Sequence, residues 1–177
     1  VGTLLIAIAM FKTQAWSAGL YYLVHSTLIA AAFYLFCGWI TAQRGMFKDH
    51  LKVAPKIKNE KAAALTYFLI AMMMAGLPPF SGFLGKVFIL QATAETAYQG
   101  WIIAIILIVS LLSILALTRV GFILFWRASP PEIDPNEAAY QTYQGLPAYA
   151  PNRNDTAIYI ILAGLMGYVV FAAPIYN

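Results

Sequence analysis

Apolar residues fall into long uninterrupted runs along this chain, with short polar segments between them. A helix that crosses a hydrocarbon core of roughly 30 Å needs about 20 predominantly apolar residues. Val1 to Phe11 is apolar but only half that length, and Lys12-Thr13-Gln14 ends it. Ser17 to Ile40 is a full span. Thr41 to Lys61 is polar, and Ala62 to Ala94 is a long apolar stretch interrupted by Gly76-Leu77-Pro78-Pro79-Phe80-Ser81-Gly82. A polar turn from Glu95 to Gly100 leads into a second full span, Trp101 to Trp126. Arg127 to Asp155 is a loop rich in Pro and Tyr, and Thr156 to Pro174 is the last apolar run. The pattern predicts an all-α membrane protein with a partial helix over 1–11, helices over 17–40, 101–126 and 156–174, a broken helix over 62–94 and loops over 41–61 and 127–155. Trp16, Trp39, Trp101 and Trp126 all lie within about one residue of a predicted span end, where an indole is half-buried and its N–H stays wet. No repeat, heptad or low-complexity segment appears.

Composition sharpens this picture. The chain is 62% hydrophobic and 10% charged, with a mean hydropathy of +0.74. Soluble domains carry about 45–50% apolar and roughly 25% charged residues, so charge is too sparse here to coat a water-soluble globule. The formal charge of +4 is concentrated in one segment, where Arg44, Lys48, Lys52, Lys56, Lys58 and Lys61 face only Asp49 and Glu60. That bias speaks to membrane orientation rather than to nucleic acid: the basic loop is expected on the cytoplasmic side, placing 95–100 outside, 127–155 inside and the C-terminus outside. A lone Cys37 allows no internal disulfide, no Cys/His cluster offers a metal site, and no cofactor is expected. The chain opens on Val1-Gly2-Thr3 with no basic segment before its apolar run and no cleavage site after it, so it reads as part of a longer chain rather than as a signal peptide.

The candidate chemistry gathers at the interruption. Pro78 and Pro79 have no backbone N–H, so the carbonyls of Met74 and Ala75 lose their usual donors, and Gly76 and Gly82 loosen the backbone on either side. In hydrocarbon such a break survives only inside protein or beside a water-filled cavity, and breaks of this kind mark ion and substrate sites in transporters. Lys86 lies just beyond, nine residues before Glu95, which is about 13–14 Å of helix rise and close to mid-membrane. Intramembrane charges are functional by default. Burial and the positive end of the following half-helix both work against the charge of Lys86, which suits an amine that gives up and regains a proton. A permanent ion pair that merely holds helices together is the alternative.

His25 is the second candidate proton carrier, eight residues into its span, with Tyr21 one turn before it and Ser26 beside it. A buried histidine satisfied by hydroxyl groups is the plainer alternative. Ser81, at the end of the interruption, joins Tyr21 and Ser26 as a tuning or relay group. Arg119, eight residues before Arg127, is too basic to exchange protons and fits an anchoring or tuning role. Ser110, Ser113 and Thr118 are expected to bond their own helix. Glu95 reads as a solvated helix end, and Met72-Met73-Met74 as packing. A scaffold role fits poorly with a costly midplane lysine, and a membrane hydrolase with the lack of paired metal ligands.

The run Gly76-Leu77-Pro78-Pro79-Phe80-Ser81-Gly82-Phe83-Leu84-Gly85-Lys86 resembles the broken-helix signature of the antiporter-like subunits. These occur in Mrp-type (Mnh, Pha) multisubunit cation/proton antiporters and in respiratory complex I. Tyr22-Leu23-Val24-His25-Ser26 with Phe36-Cys37-Gly38 resembles the histidine-bearing helix that precedes that signature. Arg119-Val120-Gly121 through Leu124-Phe125-Trp126-Arg127 looks most like the D-type subunits of the Mrp antiporters. The resemblance implies the last four or five spans of a fourteen-helix fold with inverted repeats, broken helices and a polar axis along the midplane. It implies Lys86 as the lysine of the second broken helix and His25 as the relay histidine. Some relatives carry a second histidine one turn earlier, where this chain has Tyr21. The family's glutamate–lysine pair lies upstream of Val1. The function implied is proton translocation in a Na⁺(K⁺)/H⁺ antiporter of a bacterial inner membrane, in contact with lipid and with other subunits of the complex. A proton-pumping subunit of a complex I-type oxidoreductase or related hydrogenase is the other reading.

Overall fold

The computed structural model describes residues 2–44, 51, 57, 59–94, 96–127 and 153–172, and every regular element among them is helical. Most of the basic loop, Glu95, the Pro- and Tyr-rich loop over 128–152 and residues 173–174 of the last expected span lie outside the described residues.

Helix α1 runs Gly2–Ala9, α2 Thr13–Gln43, α3 Glu60–Ala75, α4 Ser81–Ala92, α5 Gln99–Gly121 and α6 Arg153–Tyr168. A π-helical segment, Phe122–Trp126, continues α5, and a 3₁₀ turn, Val170–Ala172, follows α6. Among the described residues, two helices are long and apolar enough to cross a membrane: α2, with 31 residues, and α5 with its π segment, with 28. Helices α3 and α4, of 16 and 12 residues, are each short of the roughly 20 residues a full crossing takes.

The segment between α3 and α4 follows from its backbone chemistry. Gly76 adopts φ +75°, a left-handed conformation that closes α3, and the amides of Gly76 and Leu77 turn back onto Met73 O and Met72 O, each at 3.1 Å. This is the glycine-ended helix stop that satisfies the last carbonyls when no further turn follows. Phe80 is extended and precedes the first turn of α4. Ser81 and Gly82, expected within the interruption, are the first two residues of α4.

Helix α2 is the hub, packing most closely on α4 and α6 and also touching α1 and α3. In lipid, helices gain little from the hydrophobic effect against each other and associate through close packing of small residues. The contacts bear this signature. A methyl on Gly19 would stand 3.0 Å from Ala7 Cβ, and one on Gly85 would stand 2.9 Å from the Tyr22 ring. The main core is formed by Ile29, Phe36 and Trp39 of α2, Tyr67, Ile70 and Met73 of α3, and Ile158, Leu162 and Leu165 of α6. Trp39, expected at a wet interface, is buried with its ring edge-on to Phe36 at 5.5 Å. Helix α5 leaves most of its apolar side chains uncovered.

Candidate functional site

Lys86 projects from α4 back toward the interruption, as helical side chains lean toward the N-terminus of their helix. Its Nζ donates to Ala75 O at 2.7 Å and to Ser110 Oγ at 2.9 Å. The first contact has a local cause. In an unbroken helix the donor to Ala75 O would be the amide of residue 79, and Pro79 has none. The lysine amine supplies the missing donor.

The sequence led us to expect the positive end of α4 as the dipole acting on Lys86. The geometry differs: the amine rests on the last carbonyl of α3, the negative end of that helix. The cause is the length and backward tilt of the lysine stem, which bring Nζ to the end of α3. Both acceptors are neutral groups. Glu60 stands at the opposite end of α3 from Ala75.

His25 is 2% exposed and lies where α2, α3 and α4 meet. Its Nδ1 is 2.8 Å from Ser81 Oγ, and the ring also hydrogen-bonds the Met73 backbone. A ring N–H donated to the Met73 carbonyl leaves Nδ1 to accept from the Ser81 hydroxyl, which defines a neutral tautomer with both nitrogens satisfied. Gly82 makes room for this: a methyl there would stand 2.5 Å from His25 Nε2 and 2.8 Å from Met73 O.

Lys86 and His25 border a common cleft of about 920 Å³. Thr3, Tyr22, Ser26, Thr27, Ser110 and Ser113 add hydroxyl groups to its wall, and apolar side chains from α1, α2, α3 and α5 form the rest. Ser26 Oγ donates to Leu23 O at 3.0 Å while it faces the cleft. Tyr21 turns elsewhere: it stacks on Tyr168 with ring centroids 4.5 Å apart and donates to Tyr168 O at 3.4 Å. Arg119 lies exposed on α5 and is not among the residues that line the cleft. The structure thus brings Lys86, His25, Ser26, Ser81, Gly76 and Gly82 together around the interruption, and leaves Tyr21 and Arg119 apart from them.

Two contributors were not read from the sequence. Ser110 was expected only to bond its own helix; it does donate to Ile106 O at 2.7 Å, and it also accepts from Lys86. Tyr67 was not singled out at all. Its hydroxyl donates to Leu117 O at 2.6 Å, so α3 is tied to α5 one turn before the π segment. Gly121 allows this approach, since a methyl there would stand 2.7 Å from Tyr67 Cε1. The π segment begins at the next residue, where Arg127 N bonds Phe122 O at 2.9 Å. The small residue at 121, opposite an aromatic on α3, was the available signal.

Comparison with known proteins gives the family. The family model described as "NADH:quinone oxidoreductase/Mrp antiporter, TM" matches residues 1–115. The D-type subunit of the Na(+)/H(+) antiporter of Bacillus subtilis (strain 168) is 31% identical over 94% of this chain and 32% of its own length. The corresponding Na(+)/H(+) antiporter subunit of Alkalihalophilus pseudofirmus is 30% identical over 71% of this chain and 25% of its own. The D-type subunit of a probable K(+)/H(+) antiporter of Rhizobium meliloti is 29% identical over 71% of this chain and 28% of its own. The chain thus spans between a quarter and a third of the length of these curated relatives. No solved structure matches it.

Proposed function

We propose a function from one premise: this chain belongs to the NADH:quinone oxidoreductase/Mrp antiporter transmembrane family. It acts as part of a proton-translocating subunit in a multisubunit antiporter that exchanges protons for Na⁺ or K⁺, seated with other subunits in the bacterial inner membrane. The relatives named as Na(+)/H(+) or K(+)/H(+) antiporter subunits support this class. Helices α3 and α4 form one broken membrane crossing, and the described helices are the last four or five of a fourteen-helix fold. The basic loop lies on the cytoplasmic side.

The observation that carries the mechanism is the Lys86 amine held on the Ala75 carbonyl beside a cleft that His25 shares. Protons pass along this polar axis. Lys86 takes up and releases a proton toward water in the cleft, and His25, neutral and held by Ser81, relays it. Gly76, Pro78, Pro79 and Gly82 create the interruption and the space around it. Ser26 and Ser81 tune or extend the path.

The test is cation-driven proton exchange in energised membrane vesicles carrying the full complex, with Lys86→Ala compared with wild type at matched expression. Exchange should vanish while the complex still assembles; near-normal exchange would refute the role of Lys86. The family's description also covers NADH:quinone oxidoreductases. Exchange that requires a quinone or NADH reaction in the same purified complex would favour a redox-driven pump instead.

A further inference from the structure

We infer that Ser110 is a positioning residue for Lys86 and that, with the Ala75 carbonyl, it leaves one fixed direction on Nζ for proton exchange. The inference rests on the role proposed for Lys86. Nζ has two bonded acceptors, Ala75 O at 2.7 Å and Ser110 Oγ at 2.9 Å. A carbonyl can only accept. The Ser110 hydroxyl hydrogen is committed to Ile106 O at 2.7 Å, so toward Lys86 its oxygen accepts as well.

An ammonium has three N–H groups; a neutral amine has two and a lone pair. Two acceptors therefore occupy two N–H groups in either state. The remaining tetrahedral position carries the exchangeable proton when the group is charged and the lone pair when it is neutral. Loading and unloading then need no swing of the side chain. Reuse of one geometry in both states is the feature a proton carrier needs and a static helix clamp does not.

Among the described residues that line the cleft, Lys86 is the charged side chain, and the other titratable groups are His25 and Tyr22 of α2. From α1 comes Thr3, from α3 Met74, and from α5 the hydroxyls of Ser110 and Ser113 with apolar side chains. Ser110 is thus the α5 group that ties this third helix to the α3–α4 interruption through the amine.

The test uses the full complex in energised vesicles, comparing Ser110→Ala, Ser110→Thr and Lys86→Ala. Ser110→Ala should slow exchange about tenfold, as expected for the loss of one hydrogen bond to a charged group. It should also move the pH of half-maximal exchange about one unit lower, because the lost acceptor binds the ammonium more strongly than the amine. The cation concentration for half-maximal rate should not change, and Ser110→Thr should restore rate and pH profile together. A wild-type rate and profile in Ser110→Ala overturns the inference and leaves the role of Lys86 standing. A slower Ser110→Ala with an unmoved profile, not restored by threonine, also overturns it and makes Ser110 a packing residue. Normal exchange in Lys86→Ala removes the reading on which the inference rests.

Discussion

The side chain of Lys86 lies across Gly76: a methyl group on Gly76 would stand 2.9 Å from Nζ, 3.1 Å from Cε and 3.3 Å from Cδ. Gly76 also holds φ +75°. Two demands converge on one residue, a left-handed backbone to end α3 and a bare surface on which the lysine can rest.

Gly76→Ala should violate both. The left-handed backbone alone costs about 1–2 kcal/mol for a residue with a Cβ, and the methyl would lift the amine off the Ala75 carbonyl. Exchange in vesicles should fall at least as far as it does for Ser110→Ala, about tenfold or more. Thermal unfolding of the purified complex should show a loss of about 1–2 kcal/mol. An alanine variant with wild-type exchange would show that the contact between Lys86 and Gly76 is incidental.

Ser81→Ala isolates the histidine. Ser81 can donate to a neutral imidazole and, by rotating its hydroxyl, accept from a charged one, so it supports His25 on either side of a proton transfer. Without it, Nδ1 is buried with no partner, at a cost of about 1–3 kcal/mol. We expect exchange to slow by about tenfold and Ser81→Thr to recover most of it. Equal rates for alanine and serine would remove His25 from the path.

Tyr67→Phe tests the tie between α3 and α5. It should cost about 1–2 kcal/mol, since the partly buried Leu117 O loses the hydroxyl that donates to it. Hydrogen exchange of the amides from Gly121 to Arg127 should change most, either slowing if the ladder closes into a regular α turn or quickening if it stays open. Unchanged protection across these amides would show that Tyr67 does not hold the π segment.

What could be read from the chain and what could not divides by the range of the interaction. Pro78 and Pro79 act on their own neighbours, so the end of α3 and the orphaned Ala75 carbonyl follow from covalent chemistry alone. Lys86 and His25 are legible because an ionisable group in an apolar run is costly. The partner that bonds the Ala75 carbonyl is eleven residues downstream on another helix, and nothing local selects it. The same limit hid the second contact of Ser110, whose local bond to Ile106 is the default for a serine in an apolar helix. Gly82 and Gly85, three residues apart on α4, did carry a signal for close helix approach, and read that way they would have pointed to His25 and Tyr22 as the groups they face. Arg119, equally conspicuous in the sequence, shows that depth along a helix does not fix the direction a side chain faces.

The bond between Lys86 and Ala75 also restrains how the lysine can move. The oxygen it covers has lost its usual backbone donor to Pro79. If the amine swings away in a dry surrounding, it strips a carbonyl at a cost of several kcal/mol. A water molecule has to arrive as the amine departs. Displacement of the lysine then requires wetting of the interruption, and a dry cleft keeps the amine seated in the one geometry that serves both of its protonation states.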